Sequence, residues 1–259
     1  MADPELRQFL DQLADAAAAA ILPHFRTPMV VKNKGAAGFD PVTIADQAAE
    51  TAMRRLIAER FPDDGVIGEE LPAERPDAEH VWVLDPIDGT RAFIAGIPVW
   101  GTLIGLMSKG VPELGMMAQP FTGERFAGDG KTAWYTGPGG PRTLATRRCA
   151  GLAEAVLFTT SPFLFDAAEE PAYRRLESAA RLTRYGCDCY AFAMLAAGFV
   201  DIVVEAGLKP YDIVALIPII DGAGGRVTTW DGGPAAGGGR IVATGDPRLH
   251  DTVLRALKL

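Results

Sequence analysis

Apolar residues recur at helical spacing from the start of the chain. Leu6, Phe9, Leu10, Leu13 and Ala17 share one face, which predicts a helix over residues 5–25. The next stretch, VVKNKGAAGFDPVT, has no periodicity and is rich in Gly, Lys and Asp, so it reads as a loop. Helical spacing resumes over residues 44–59, with Ala48, Ala52, Leu56 and Ile57 on one side and Thr43 as the N-cap. DDGVIGEE then reads as a turn, a short strand and two acids, and HVWVLDP as a buried strand ending at an aspartate. Two strands follow, joined at Lys109-Gly110, and then a hairpin, ERFAGDGKTAWY, with an Asp-Gly turn. The first half, residues 1–146, is therefore expected to hold a helix pair and a run of antiparallel strands.

From residue 147 to 259 strands and helices alternate. AVLFTT, TRYG, VDIVVEAG, RVTTW and RIVAT read as strands or strand ends. EEPAYRRLESAARL, DCYAFAMLAAG, KPYDIVALIPIIDGAGG and DPRLHDTVLRALKL read as helices, the third closed by glycines. DGGPAAGGGR is a loop between strands. This alternation predicts a parallel or mixed sheet covered by helices.

The chain has 259 residues, 48% hydrophobic, enough for a large core. Its formal net charge is −8, which gives it no electrostatic reason to seek nucleic acid or an anionic membrane. Binding an anionic substrate would need local positive charge, and metal ions would supply it. Cys149, Cys187 and Cys189 are odd in number and suit a reducing compartment better than a disulfide framework. The Cys-x-Cys pair lacks a second ligand pair for structural zinc, so both cysteines read as small buried fillers. Trp82 and Trp100 read as core. The first residues carry Asp3, Glu5, Asp11 and Asp15 around a short apolar run, unlike a secretory signal. No run reaches the roughly 18 apolar residues of a membrane span. A soluble, cytoplasmic protein is expected. Ser108, Ser161 and Ser178 lie outside any Gly-x-Ser-x-Gly, no Walker A loop occurs, and His24, His80 and His250 are scattered.

The chemistry concentrates in acids at element ends: Glu69 and Glu70 after a short strand, Asp85 and Asp88 in VLDPIDGT, and Asp212 in GLKPYDIV. Asp85 closes an apolar strand, Pro86 stiffens the turn, and Asp88 lies near enough to face the same point. The carbonyl of Ile87 lies between them. Gly89 allows close backbone approach, and Thr90 opens a short helix whose free N–H groups suit a phosphate. Hard oxygen ligands are those that Mg²⁺ selects. Alone, DPIDGT would also serve as a surface turn; Glu69 and Asp212, each at another element end, weigh against that.

GEE at residues 68–70, WVLDPIDGT at residues 82–90, and Tyr211-Asp212 before a Gly-Gly helix end resemble the inositol-monophosphatase superfamily. DPVTIADQAAE resembles its loop and second-helix segment, and the likeness runs nearly end to end. The resemblance implies a layered α/β/α/β/α sandwich, of the inositol-monophosphatase and fructose-bisphosphatase type. It implies two or three Mg²⁺ held by Glu69, Asp85, the Ile87 carbonyl, Asp88 and Asp212. Glu69 and Thr90 would position the attacking water, and Asp46 would sit nearby as a supporting acid. A homodimer is implied as well.

The signature continues as Arg91-Ala92 rather than the Thr-Asn usual in the inositol branch. DGTRAFIAGIPVWGTLIGL and YGCDCYAFAMLAAGFVDIVVEAGLKPYD resemble the histidinol-phosphatase branch. Asp188 falls where the inositol branch has a small residue near the sugar, and Glu205 falls at a substrate-contacting position. Histidinol phosphate carries an ammonium group and an imidazole, which two carboxylates would pair with. The expected substrate-binding set is Asp88, Gly89, Thr90, Arg91, Asp188, Glu205 and Asp212. Asp188 would also serve as the N-cap of its helix, Glu205 as a solvated strand-end charge, and Arg91 as a salt-bridge partner. The alternatives are an inositol-1-monophosphatase or broad sugar phosphatase, a nucleotide or fructose-bisphosphate phosphatase, and, from another class, a non-catalytic metal-binding protein.

Overall fold

The computed structural model describes residues 3–28, 32–33 and 41–259. Helix α1 (Pro4–Ile21) starts where Asp3 caps the Glu5 N–H at 2.9 Å. It stops short of residue 25 because Pro23 diverts the chain into a 3₁₀ turn over residues 22–24. Strands β1 (Lys32–Asn33) and β2 (Pro41–Val42) pair antiparallel; within the expected loop, residues 30–31 and 34–40 lie outside the described residues. Helix α2 (Ile44–Arg60) opens on the expected Thr43 cap, which accepts from the Ala45 N–H. Its buried face, however, runs through Ala45, Ala49, Met53 and Ile57, while Ala48 is exposed.

Seven strands follow with their sheet order equal to their chain order: β3 (Gly65–Gly68), β4 (His80–Asp88), β5 (Gly101–Ser108), β6 (Val111–Gln119), β7 (Glu124–Gly128), β8 (Ala133–Thr136) and β9 (Arg142–Thr143). Helix α3 (Thr90–Ile94) sits between β4 and β5. Every neighbouring pair is antiparallel except β3 and β4. There the connection, residues 69–79, returns the chain to the same end, so the pairing is parallel rather than antiparallel as expected.

The second sheet is built from β10 (Val156–Thr159), β11 (Leu182–Tyr185), β12 (Ile202–Leu208), β13 (Arg226–Thr229) and β14 (Gly239–Thr244), in the order β11-β10-β12-β14-β13. It is mixed: β10 pairs parallel with β11 and β12, and β14 pairs antiparallel with β12 and β13. Its helices are α4 (Glu170–Ala179), α5 (Asp188–Ala196), α6 (Pro210–Ile213), α7 (Leu216–Gly222) and α8 (Pro247–Leu257). Helix α4 ends earlier than its apolar spacing suggested, because Leu182 joins β11 opposite Val156. The expected single helix from Lys209 is two, α6 and α7.

Alternation along the strands fixes the layers. One face of the seven-stranded sheet packs on α1 and α2 through Trp82, Leu84 and Ile104. Its other face, through Leu103, Met117 and Phe126, packs on α5 and α7. Val203 and Ala243 of the second sheet point into that same middle layer, whereas Ile202, Val204 and Val242 point outward against α4 and α8. The order is α/β/α/β/α, as expected. Trp82 and Trp100 are fully buried core residues. No helix among the described residues is long and apolar enough to cross a membrane.

His250 on α8 is fully buried between two threonine hydroxyls. Thr228 Oγ1 donates to the Thr229 carbonyl, so His250 Nε2 donates to Thr228 (2.8 Å) and Nδ1 accepts from Thr244 (2.9 Å). Burial, with a smaller effect of Arg226 against that of Asp251, holds its pKa down at about 4. The unfolded chain takes up this proton near pH 6.5 and the folded chain only near 4, so stability is complete above 6.5 and is lost as pH falls from 6.5 to 4. His250→Gln is expected to flatten the fall in Tm across that window. A slope equal to that of the wild type would show that His250 does not report on acid unfolding.

Candidate metal centre

The signature segment does not end β4 at Asp85. The strand continues to Asp88 with an irregular register: Asp85 faces Leu103 and Asp88 faces Gly101, so one extra residue is accommodated on β4. Pro86 has no N–H to give the ladder, and its carbonyl is taken up by the Thr102 hydroxyl at 2.8 Å. Asp85 Oδ1 accepts the Ile87 N–H at 3.0 Å. The bulge thus turns Asp85 and Asp88 toward one point. Gly89 (φ 87°) reverses the chain into α3; a Cβ there would lie 3.2 Å from Asp188 Oδ2 and from the Trp100 Cα, so conformation and space both require glycine. Thr90 Oγ1 donates to the Ile87 carbonyl at 3.1 Å.

Asp212 comes from the middle layer, held at the start of α6 by the Lys209 N–H at 2.6 Å. Carboxylate oxygens of Asp85, Asp88 and Asp212 all lie within 4.8 Å of one another. Glu69, from the end of β3, is hydrogen-bonded to Asp85 and adds its charge to both Asp85 and Asp212. Burial, then the Glu69, Asp88 and Asp212 charges, push the Asp85 carboxyl well above the usual carboxylate range. Burial, then Asp188 and Asp212, do the same to Asp88, and burial raises Asp212 to about 7. Clustered carboxylates, one buried and two partly so, that repel one another and are all hard oxygen donors fit divalent cations of the Mg²⁺ type.

Beside the cluster lies a cavity of ≈ 200 Å³, lined among others by Asp88, Thr160, Asp188, Cys189, Glu205 and Asp212. Asp188 opens α5 with φ 42° and makes no capping bond to its own helix, so the cap reading is overturned. The α5 terminus is instead met by Asp88, whose Oδ2 accepts the Cys189 N–H at 2.6 Å across the two halves. Burial raises Asp188, while Thr160 and then the exposed Arg91 oppose that shift. Glu205 is buried rather than solvated: Oε1 accepts the Thr160 N–H at 2.6 Å, and Oε2 has no hydrogen-bond partner among the described residues. Burial pushes its pKa up to about 8. Cys189 is buried and Cys187 partly so, and neither is in a disulfide.

Asp46 is not one of the three aspartates whose oxygens converge. Its Oδ2 accepts from the Thr43 N–H (2.9 Å) and hydroxyl (2.6 Å), and the Glu70 charge adds to the burial that raises it to about 6. The same α2 face carries Glu50 and Arg54, which the sequence reading passed over. Glu50 is fully buried, accepts the Glu70 N–H (2.8 Å) and the Leu71 N–H (3.2 Å), and binds Arg54 at 2.8 Å. Arg54 in turn donates to the Leu71 carbonyl at 3.1 Å. A Cβ at Gly68 would sit 2.0 Å from the Glu50 carboxylate. This pair grips the backbone on either side of Glu70 and so fixes the turn that carries Glu69. Its only trace in the sequence is the i, i+4 Glu-Arg spacing.

A five-layer sandwich with clustered carboxylates between its sheets is the arrangement of a metal-dependent phosphatase. The chain belongs to the inositol monophosphatase family, whose model matches residues 3–258. It is 43% identical over 273 residues to the chloroplastic bifunctional phosphatase IMPL2 of Arabidopsis thaliana, covering 100% of this chain and 77% of that one. It is 36% identical over 224 residues to the histidinol-phosphatase of Mycobacterium tuberculosis, covering 84% of each. Among solved structures, an inositol monophosphatase from Zymomonas mobilis superposes with a TM-score of 0.87 at 42% identity, over 97% of both chains.

Proposed function

We propose that this phosphatase is Mg²⁺-dependent and hydrolyses L-histidinol phosphate to L-histidinol and inorganic phosphate, a step of histidine biosynthesis. The observation that carries the reading is two carboxylates, the half-buried Asp188 and the buried Glu205, in the cavity that also holds Asp88 and Asp212. A substrate cationic at one end and anionic at the other suits that division. The likeness to the Mycobacterium tuberculosis histidinol-phosphatase supports it.

In this reading Glu69, Asp85, the Ile87 carbonyl, Asp88 and Asp212 hold the cations. When bound, Mg²⁺ neutralises the phosphate and lowers the pKa of the attacking water. Glu69 and Thr90 would orient that water, with the Glu69 carboxylate as the group able to take its proton, and Asp46 supports the Glu70 side of the centre. The backbone at Gly89 and Thr90 seats the phosphate. Asp188 and Glu205 pair with the ammonium and imidazole, and Arg91 steadies Asp188. Residues 1–146 thus supply most of the metal centre, and residues 147–259 supply specificity and the last ligand. A homodimer in the cytoplasm is part of the same proposal, and sedimentation tests the dimer.

A panel of histidinol phosphate, inositol 1-phosphate and an aryl phosphate at fixed Mg²⁺ tests the substrate. At least a tenfold advantage in kcat/KM is expected for histidinol phosphate. An equal or higher value for inositol 1-phosphate would favour the second reading, an inositol-1-monophosphatase or broad sugar phosphatase. The Zymomonas mobilis likeness supports that second reading.

The Glu50 grip gives a further expectation. Glu50→Gln keeps the shape but weakens the hold on the Glu69 turn. The Mg²⁺ concentration for half-maximal activity is expected to rise about 10–100-fold, the usual effect of losing a group that orients a ligand. Tm measured on the same sample controls for unfolding. A folded variant with unchanged Mg²⁺ dependence would rule the grip out.

A further inference from the structure

A second cavity, of ≈ 420 Å³, opens at the far end of β10 and β12, lined by Arg147, Arg148, Arg181, Glu154, Val156 and Asp201 among others. Val156 begins β10, whereas Thr160, just past its end, lines the carboxylate cavity. Four residues of strand place the two about 13 Å apart. Likewise Asp201 precedes β12 at one cavity, and Glu205 within β12 lines the other.

The three guanidinium groups play different parts. Arg147 is fixed in place: its Nε and Nη2 donate to Asp201 Oδ1 (2.8 Å) and Oδ2 (2.6 Å). Asp201 is itself buried and also accepts the Val156 N–H at 2.8 Å. The wall of the cavity therefore carries an arginine whose plane is held from behind. Arg148 and Arg181 are exposed, and neither guanidinium has a hydrogen-bond or ion-pair partner among the described residues. Three positive groups face two acids, one of which Arg147 already neutralises, on a chain whose formal net charge is −8.

Unpaired surface arginines are ordinary when scattered. Here two of them, with Arg147, line one cavity of ligand size, and the guanidinium fork matches phosphate oxygens in pairs. We propose that this cavity binds a small phosphate-bearing anion, at a site separate from the catalytic cluster and independent of its metal. The carboxylate cavity repels anions unless cations are bound there; the arginine cavity needs none. An anion held here touches the starts of the two strands whose other ends carry Thr160 and Glu205, so it sits where an effector would act on the substrate cavity.

The test is isothermal titration of the Mg²⁺-loaded full chain with inorganic phosphate at low ionic strength, comparing wild type with Arg148→Ala/Arg181→Ala. Wild type is expected to bind two phosphates per chain, and the double variant one, or a second at least tenfold more weakly. One phosphate in both proteins, or two unchanged in both, would overturn the proposal. Because the altered side chains have no partners, the variant is expected to keep its Tm. If it does not, crystals of the wild type soaked in tungstate decide instead: an anomalous peak among the three guanidiniums supports the site, and its absence refutes it.

Discussion

Asp88→Asn is expected to give a protein that is nearly inert yet, without metal, more stable than wild type. The amide keeps a carbonyl oxygen where Asp88 Oδ2 accepts the Cys189 N–H, so the tie to α5 survives. What is lost is one charge of the cluster. With Mg²⁺ present, losing a charged ligand removes several kcal/mol of transition-state stabilisation, a fall in kcat on the order of 10³-fold. In EDTA the same change relieves repulsion with Asp188 and Asp212, which lies behind the upward shift at Asp88 once burial is counted. Each kcal/mol relieved raises Tm by about 2–4 °C in a chain of this size. The size of the gain depends on pH: it is present where the carboxylates are ionised and fades as pH falls and they protonate. Near-normal turnover, or a Tm in EDTA below that of wild type, would show that the cluster is not a cation site.

Asp188→Asn is expected to separate substrates rather than to stop chemistry. The position has φ 42°, a conformation asparagine tolerates, so the start of α5 should hold. A charge-assisted hydrogen bond contributes about 1.5–3 kcal/mol, so kcat/KM for histidinol phosphate should fall on the order of 10- to 100-fold. For inositol 1-phosphate, which has no cation to pair, the change should stay within about threefold. Equal losses on both esters would place Asp188 in the phosphate machinery, and the inositol reading would then stand level with the histidinol one.

Hydrophobic period made most of the strands and helices legible, whereas their stacking into five layers came from the family resemblance, since a helix such as α5 is buried on every side and shows no stripe. Failures came where polar residues are buried. On α2, Asp46, Glu50 and Arg54 share the inner face with Ala49 and Met53, so the apolar stripe pointed a little to one side of the true one. Proline misled twice, in opposite senses. At Pro23 it ended α1 earlier than expected, whereas at Pro86 the strand absorbed it in a bulge. The motifs brought out every acid of the cluster, although only Asp88 and Asp212 sit at element ends and Asp85 lies within β4. They were blind to Thr160 and to the Asp88 contact with the Cys189 N–H, because those partners are 101 residues apart in the latter case and meet only once both sheets are stacked.

That contact has a consequence for how the molecule senses its own cargo. One carboxylate is shared between a helix amide from the later half of the chain and the acidic centre to which both halves contribute. A cation held there would draw electron density from the same carboxylate that the amide leans on. Occupancy would then be written into the Cys189 proton itself, and its exchange with deuterium and its chemical shift would be a built-in gauge of filling, readable with no substrate present.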